Sequence, residues 1–195
     1  MRRIAATLAV VVALLFSAGS AWADLEDAGA AYDRGDYETA IREYRPLAEK
    51  GEASAQAQLG WMYQNGEGVP QNKTEAVKWF RKAAEQGLSN AQFILGLEYD
   101  FDLGGGLPKD VVLSHMWLSL AAKQGNEAAQ EYVTKLESKI SSSQIAKAQE
   151  LAAEWKPKYY FSSASQFAQN LVEDLRSGKS DVRASTTSGG YYDKV

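Results

Sequence analysis

The stretch "LGWMYQNGEGVPQNKTEAVKWFRKAAEQG", Leu59–Gly87, sets one glycine inside a helical pattern, two in the loop that follows and a fourth past a second helix. Ala55, Leu59, Met62 and Tyr63 recur at helical spacing, and so do Ala76, Phe80, Ala83 and Ala84. Each predicted helix has only three or four turns. Helices that short are marginal alone in water, so neighbours must stabilise them by stacking. A glycine inside a helix costs about 1 kcal/mol against alanine, and Gly60 therefore predicts a neighbouring helix at close approach. Gly66 and Gly68 stand where the chain leaves the first helix and positive φ carries no strain for glycine. Pro70 discourages an early restart, and Gly87 fits the cap that ends the second helix.

The pattern repeats. "AQAQLGWMYQNGEGVPQNKTEAVKWFRKAAEQG" starts at Ala55, and "AQFILGLEYDFDLGGGLPKDVVLSHMWLSLAAKQG" starts 36 residues later at Ala91. The two agree at Ala-Gln, Leu-Gly, Tyr, the glycine loop, Pro, Trp, Ala-Ala and Gln-Gly. Gly96 takes the place of Gly60, and Ala83, Ala84, Ala121 and Ala122 supply small contacts on the second helices. An incomplete copy, Tyr37–Gly51, places Ala40, Tyr44, Ala48 and Gly51 each 36 positions before Ala76, Phe80, Ala84 and Gly87. Past Gly125 the pattern restarts at Ala129 and then departs. A fixed period of this length signals a stack of helix-loop-helix units. The glycines are contact points and helix punctuation. A phosphate cradle at "GEG" or "GGG" would need a preceding strand and a following lysine, and neither is present.

The order A-x-x-x-L-G-x-x-Y-x-x-G-x-G-V followed by A-x-x-W-[FY]-x-K-A-A-x-x-G resembles the Sel-one-like repeat (SLR), a relative of the tetratricopeptide repeat. Residues 53–88 fit closely and residues 89–126 fit with two extra loop residues. Residues 28–52, within an N-terminal segment 24–52, are similar to a shorter tetratricopeptide-type pair. The resemblance implies an all-α fold, an α-solenoid of stacked helix-loop-helix repeats. It also implies a protein that works by binding other proteins.

Both ends of the chain read differently. Met1, Arg2 and Arg3, an apolar run Ile4–Phe16 and "AWA" ending at Ala23 form a signal-peptide pattern over residues 1–23, with cleavage before Asp24. The run falls short of the ~18–20 residues that span a bilayer, so no integral membrane segment is expected after cleavage. Export is therefore the expectation: to the periplasm first, with secretion as the alternative. The leader style and the resemblance together imply a bacterial source. Residues 127–157 read as capping helices, with Ser141 and Gln144 at capping-box spacing, Ile145, Ala148, Leu151 and Trp155 as the inward stripe, and Pro157 as the stop. Within residues 158–179, Phe167, Leu171 and Leu175 suggest a further amphipathic helix. Residues 180–195 are small and polar and read as a disordered tail.

Composition removes several function classes. Loss of Arg2 and Arg3 leaves 19 basic against 25 acidic side chains, which gives no electrostatic footprint for nucleic acid. There is no cysteine, hence no disulfide framework and no thiolate nucleophile or metal ligand. His115 is the one histidine, and it sits on a second helix where Val77 stands one repeat earlier, a position that favours packing over catalysis. No metal-ligand cluster and no G-x-S-x-G elbow is visible. Glu98, Asp100 and Asp102 before "GGG" lack the ligand order of a calcium loop and read as an acidic, flexible loop. "NKT" at Asn72 reads as the approach to the second helix. No catalytic residue, cofactor or metal is expected.

First helices line the concave face in tetratricopeptide-like stacks. By that register Ala57, Trp61, Gln64, Phe93, Leu97 and Asp100 form an exposed row that Glu131 and Lys135 extend. An aromatic centre with a polar edge is the composition of a peptide groove, and Trp61 and Phe93 are its candidate anchors, with packing into the core as the competing role. Tyr63, Trp79, Tyr99 and Trp117 match signature positions and are expected in the core. The function expected is a non-enzymatic adapter or scaffold of the bacterial cell envelope that binds a protein or peptide on this row. The alternatives are an envelope hydrolase acting on peptidoglycan or β-lactam-type substrates and a structural, self-associating subunit. The oligomeric state stays open. The hydrolase-like relatives brought up by the resemblance are cysteine-rich, unlike this chain.

Overall fold

A computed structural model describes residues 24–101 and 103–158, and among these all regular structure is helical. Eight helices follow one another: α1 (residues 24–33), α2 (Tyr37–Glu49), α3 (Ala53–Asn65), α4 (Lys73–Glu85), α5 (Ser89–Phe101), α6 (Val111–Lys123), α7 (Glu127–Glu137) and α8 (Ser142–Glu154). From α2 on, each helix packs against the next as far as α7, and α8 then folds back onto α6. The fold is an α-solenoid. The signal-peptide segment, Asp102, the amphipathic segment around Phe167 and the tail lie outside the described residues.

Local chemistry sets the helix ends. Asn72 and Asp110 cap α4 and α6 by accepting from backbone N–H groups of the first turn. In both repeats the N–H of the cap also donates to the carbonyl of the preceding repeat tyrosine, Asn72 to Tyr63 at 2.8 Å and Asp110 to Tyr99 at 2.9 Å. Gly66 ends α3 in the left-handed region at φ 76°. Gly68, at φ 69°, lies against the backbone carbonyl of Tyr37 and leaves no room for a side chain. The capping box at Ser141 and Gln144 is formed on α8.

The glycines inside helices mark close approach. A methyl group on Gly60 would stand 2.7 Å from the ring of Phe80, and one on Gly96 would stand 2.7 Å from Leu118 Cγ. Side chains pack through these gaps into three linked clusters. The first centres on Tyr44, Leu59 and Met62, the second on Leu95, Tyr99 and Trp117, and the third on Leu118, Val133 and Leu136. Trp155 closes the second cluster, edge-on to Trp117 with ring centres 6.1 Å apart.

The Ala-Gln and Gln-Gly signatures have one shared purpose. Gln56, buried, donates to the carbonyl of Ala48 at the end of α2 (3.1 Å), and Gln86 donates to the Gln56 side-chain oxygen (2.8 Å). One repeat later Gln92 donates to the carbonyl of Ala84 (3.2 Å) and Gln124 to the Gln92 oxygen (2.8 Å). Carbonyls in a helix's last turn lack the usual intrahelical donor, and here those of Ala48 and Ala84 each accept from the following glycine N–H, Gly51 or Gly87, and from the glutamine amide of the next helix.

Two expectations are corrected. The acidic stretch is loop only in part: α5 continues through Phe101 with Glu98 buried, and residues 103–110 form the loop, with Gly105 buried against Val77 and Glu98. The first-helix row is also less open than expected, since Ala57, Trp61, Gln64, Phe93, Leu97 and Asp100 are all half-buried.

Candidate functional site

Packing divides the expected row. Trp61 lies edge-on to Phe80 with centroids 5.2 Å apart, because Gly60 lets that ring come close to α3. Gln64 accepts at its backbone carbonyl from Gln71 (2.7 Å), and Asp100 pairs with Lys109 at 3.5 Å. Phe93, Leu97 and Phe101 fall four residues apart and so share a face of α5. Phe93 and Phe101 both stand edge-on to Tyr132 of α7, at 5.8 and 6.1 Å, while Phe93 and Leu97 pack on the third cluster. Phe101 is 51% exposed and Leu103 38%. Glu131 and Lys135 are exposed, form an ion pair at 3.5 Å, and place the Lys135 ammonium 5.4 Å from the Tyr132 ring centre. The structure thus gathers Phe93, Leu97, Glu131 and Lys135 around Tyr132 and Phe101, and sets the half-buried Trp61 apart from them, against Phe80.

A second site opens where the repeat breaks its own rule. Arg45 donates to the Tyr63 hydroxyl at 3.1 Å, and 36 residues on Arg81 donates to the Tyr99 hydroxyl at 3.2 Å. Burial pushes the Tyr99 phenol above its ordinary range, against the pull of Arg81, so it stays a neutral acceptor. The corresponding positions in the next unit hold Ser119 and Glu137, and the position of Ile41 and Val77 holds His115. His115 is 1% exposed; its Nε2 lies 2.9 Å from Glu137 Oε1 and its Nδ1 3.2 Å from Ser119 Oγ. A carboxylate only accepts, so Nε2 donates to Glu137 and, on the neutral ring, Nδ1 accepts from Ser119. Ser119 in place of arginine, Glu137 in place of tyrosine and Val133 in place of Leu95 line a cavity of about 420 Å³ between α6, α7 and α8. Lys123, Gln130 and Gln149 complete its polar lining, with Ala122, Val133 and Ala152 as its apolar part. Among the described residues no group of three or more acidic or histidine side chains is placed to hold a metal.

A family model, the Sel1 repeat, matches residues 53–88 and 89–126. The structure of a Sel1 repeat protein from Oxalobacter formigenes is 38% identical to this chain with a TM-score of 0.54, and the match covers 64% of this chain and 97% of that one. The chain belongs to the Sel1 repeat family. A protective antigen of uropathogenic Escherichia coli strains with an SLR fold is also similar to this Sel1 repeat protein, at 28% identity and a TM-score of 0.64 over 89% of this chain and 36% of the antigen. An exopolysaccharide production negative regulator from Rhizobium leguminosarum bv. viciae is 41% identical over 58 residues, which are 30% of this chain and 22% of the regulator. The chain spans less than a quarter of the length of the curated relatives it matches. Sel1 repeats and regulator-type relatives mark a protein-interaction or regulatory module.

Sequence reading of the Sel1 repeats missed Tyr132, Phe101 and the cavity. Tyr132 lies beyond the last full repeat, where the pattern fades. Phe101 falls in the segment first read as a loop. The cavity had a signal: laying Ser119, His115 and Glu137 over Arg81, Val77 and Tyr99 exposes three polar or small replacements in one layer.

Proposed function

We propose that this Sel1 repeat protein is a non-catalytic adapter of the bacterial cell envelope. It holds a protein partner on the patch formed by Phe93, Leu97, Phe101 and Leu103 with Tyr132. The observation that carries the reading is the exposure of Phe101 and Leu103, the large apolar side chains most open to solvent among the described residues. Phe101 stands edge-on to Tyr132 beside Phe93, with Leu103 two residues further along the chain and the Glu131–Lys135 pair at the cluster's edge, and aromatic anchors inside a polar rim are what a protein interface uses. The envelope assignment is supported by the leader pattern of residues 1–23 and by the exopolysaccharide regulator among the relatives. The partner is a protein that presents an apolar side chain to Phe101, with charged neighbours that match Glu131 and Lys135.

The test is a crosslinked pull-down from an envelope extract with residues 24–195 as bait, beside Phe101→Asp, Leu103→Ser. Any protein captured by the wild type is then purified and titrated against both baits by calorimetry. Loss of affinity of about tenfold or more in the variant supports the patch. Equal affinity for both baits overturns it.

A further inference from the structure

We infer that the cavity between α6, α7 and α8 is a receptor for a guanidinium group, the side-chain head of an arginine carried by a protein partner. The inference rests on the reading of the chain as an interaction module, and its test leaves the Phe101 patch untouched.

The earlier interfaces of the same chain show what belongs in this layer. Arg45 sits beside Tyr63 and Arg81 beside Tyr99, each guanidinium donating to a phenol oxygen across the repeat boundary. In the last interface the arginine has become Ser119 and the phenol has become Glu137. The donor is gone, and the acceptor has gained a charge. Both replacements line the cavity of about 420 Å³. A carboxylate offers a guanidinium a stronger and more directional partner than a phenol, through two parallel N–H···O bonds. His115 occupies Glu137 Oε1, which fixes the carboxylate in place. The other oxygen and the remaining lone pairs are left to accept. The Glu137 side chain is 38% exposed, so the site opens to solvent. Gln130 and Gln149 add side-chain carbonyls that accept from further guanidinium N–H groups, and Val133, Ala122 and Ala152 cover the methylene stem.

Lys123 is the opposing charge. It stands where Glu85 stands one repeat earlier, and it is exposed on the lining. An exposed ammonium is screened by water more than a fork seated against Glu137. The cavity lies on the side of α7 opposite Tyr132 and Lys135, since Gln130, Val133 and Glu137 form one stripe at helical spacing. A partner that reached both sites would wrap around the end of the stack.

The probe is N-acetyl-arginine N-methylamide, titrated into the protein by calorimetry and by NMR. A Kd of about a millimolar is expected for so small a ligand, with shifts at Ser119, Gln130 and Glu137. The citrulline analogue keeps the shape and loses the charge, and should bind at least about tenfold more weakly. Ser119→Arg restores the pattern of the earlier repeats, fills the cavity from within and should abolish binding while the circular dichroism and melting temperature are retained. Should that variant misfold, Glu137→Gln serves in its place, with an expected loss of about tenfold. Equal binding of the citrulline analogue, undiminished binding to the filled variant, or no saturable response overturns the inference. Binding of free arginine but not of the blocked form would also overturn it, because the source would then be a small molecule. Phe101→Asp should leave this titration unchanged, so failure here and failure of the patch are read separately.

Discussion

Alanine at Gly60 should destabilise the protein, whereas alanine at Gly29 should stabilise it. Both glycines lie inside helices, and in each the substitution brings the same gain, about 0.5–1 kcal/mol, from lost backbone freedom in the unfolded chain. What differs is the space. A methyl on Gly29 meets the Tyr44 hydroxyl at 3.5 Å, an ordinary contact, while one on Gly60 meets Phe80 ring carbons at 2.7 Å. Phe80 is 1% exposed and has Trp61 edge-on to it, so the ring has little freedom to retreat. Overpacking of this kind costs about 1–3 kcal/mol, which outweighs the gain and leaves a net loss of up to ~2 kcal/mol. Urea unfolding at constant m-value reads both variants as shifts in midpoint, in opposite directions. A double-mutant cycle with Phe80→Leu should show coupling of about 1 kcal/mol or more, because the smaller side chain removes the clash. If Gly60→Ala were as stabilising as Gly29→Ala, or showed no coupling to Phe80, the close-approach account of the repeat glycine would be wrong.

Three further outcomes follow from the geometry. Gln92→Ala removes one of two donors to the Ala84 carbonyl, which keeps the Gly87 N–H, and the acceptor of the exposed Gln124 amide, and should cost about 0.5–1.5 kcal/mol in urea unfolding. Ser141→Ala removes the capping box of α8 and should cost about 1 kcal/mol, read as a lower melting temperature. The Tyr32 phenol is pushed up to about 12 by burial and then by its bond to Glu67. Folding therefore favours its protonated form, and that stability is complete below about pH 10 and is lost as the pH climbs toward about 12. Tyr32→Phe should flatten the decline in that window, and a spectrophotometric titration of the phenolates should show one fewer late-titrating group.

Much of the fold was legible because the repeat prints it twice. Leu59 and Leu95, Gly60 and Gly96, and Trp79 and Trp117 hold the same register, and an interior that must serve two neighbours tolerates little variation. The site was harder to read, for a physical reason. Trp61 and Phe93 occupy similar first-helix surfaces in sequence and are both half-buried, yet Trp61 lies against Phe80 while Phe93 lies against Tyr132, and only the rotation between successive helices decides which ring each meets. Phe101 depended on whether α5 extended past Glu98. The sequence marks glycines after Asp102 but does not show that Glu98 turns inward and Gly105 packs beneath it. The cavity is lined by three replaced side chains, and a search for conspicuous residues passes over such positions.

The paired amides carry a consequence for how such chains grow. Gln56 and Gln92 each plug into the carbonyl end of the helix before them, and Gln86 and Gln124 clasp the plug from within the same unit. The joint is thus polar in the sense of a coupling: every unit carries its plug on the leading side and offers a socket on the trailing side. Removing residues 53–88 would present Gln92 to the socket of α2 at Ala48, in the same register that Gln56 now holds. A gene that duplicates or loses whole units keeps each joint intact, so the length of the stack can change without any new contact being invented. The last plug, Gln130, is exposed and lines the cavity, which places the one uncoupled joint of the described chain at the site where a foreign side chain has room to enter.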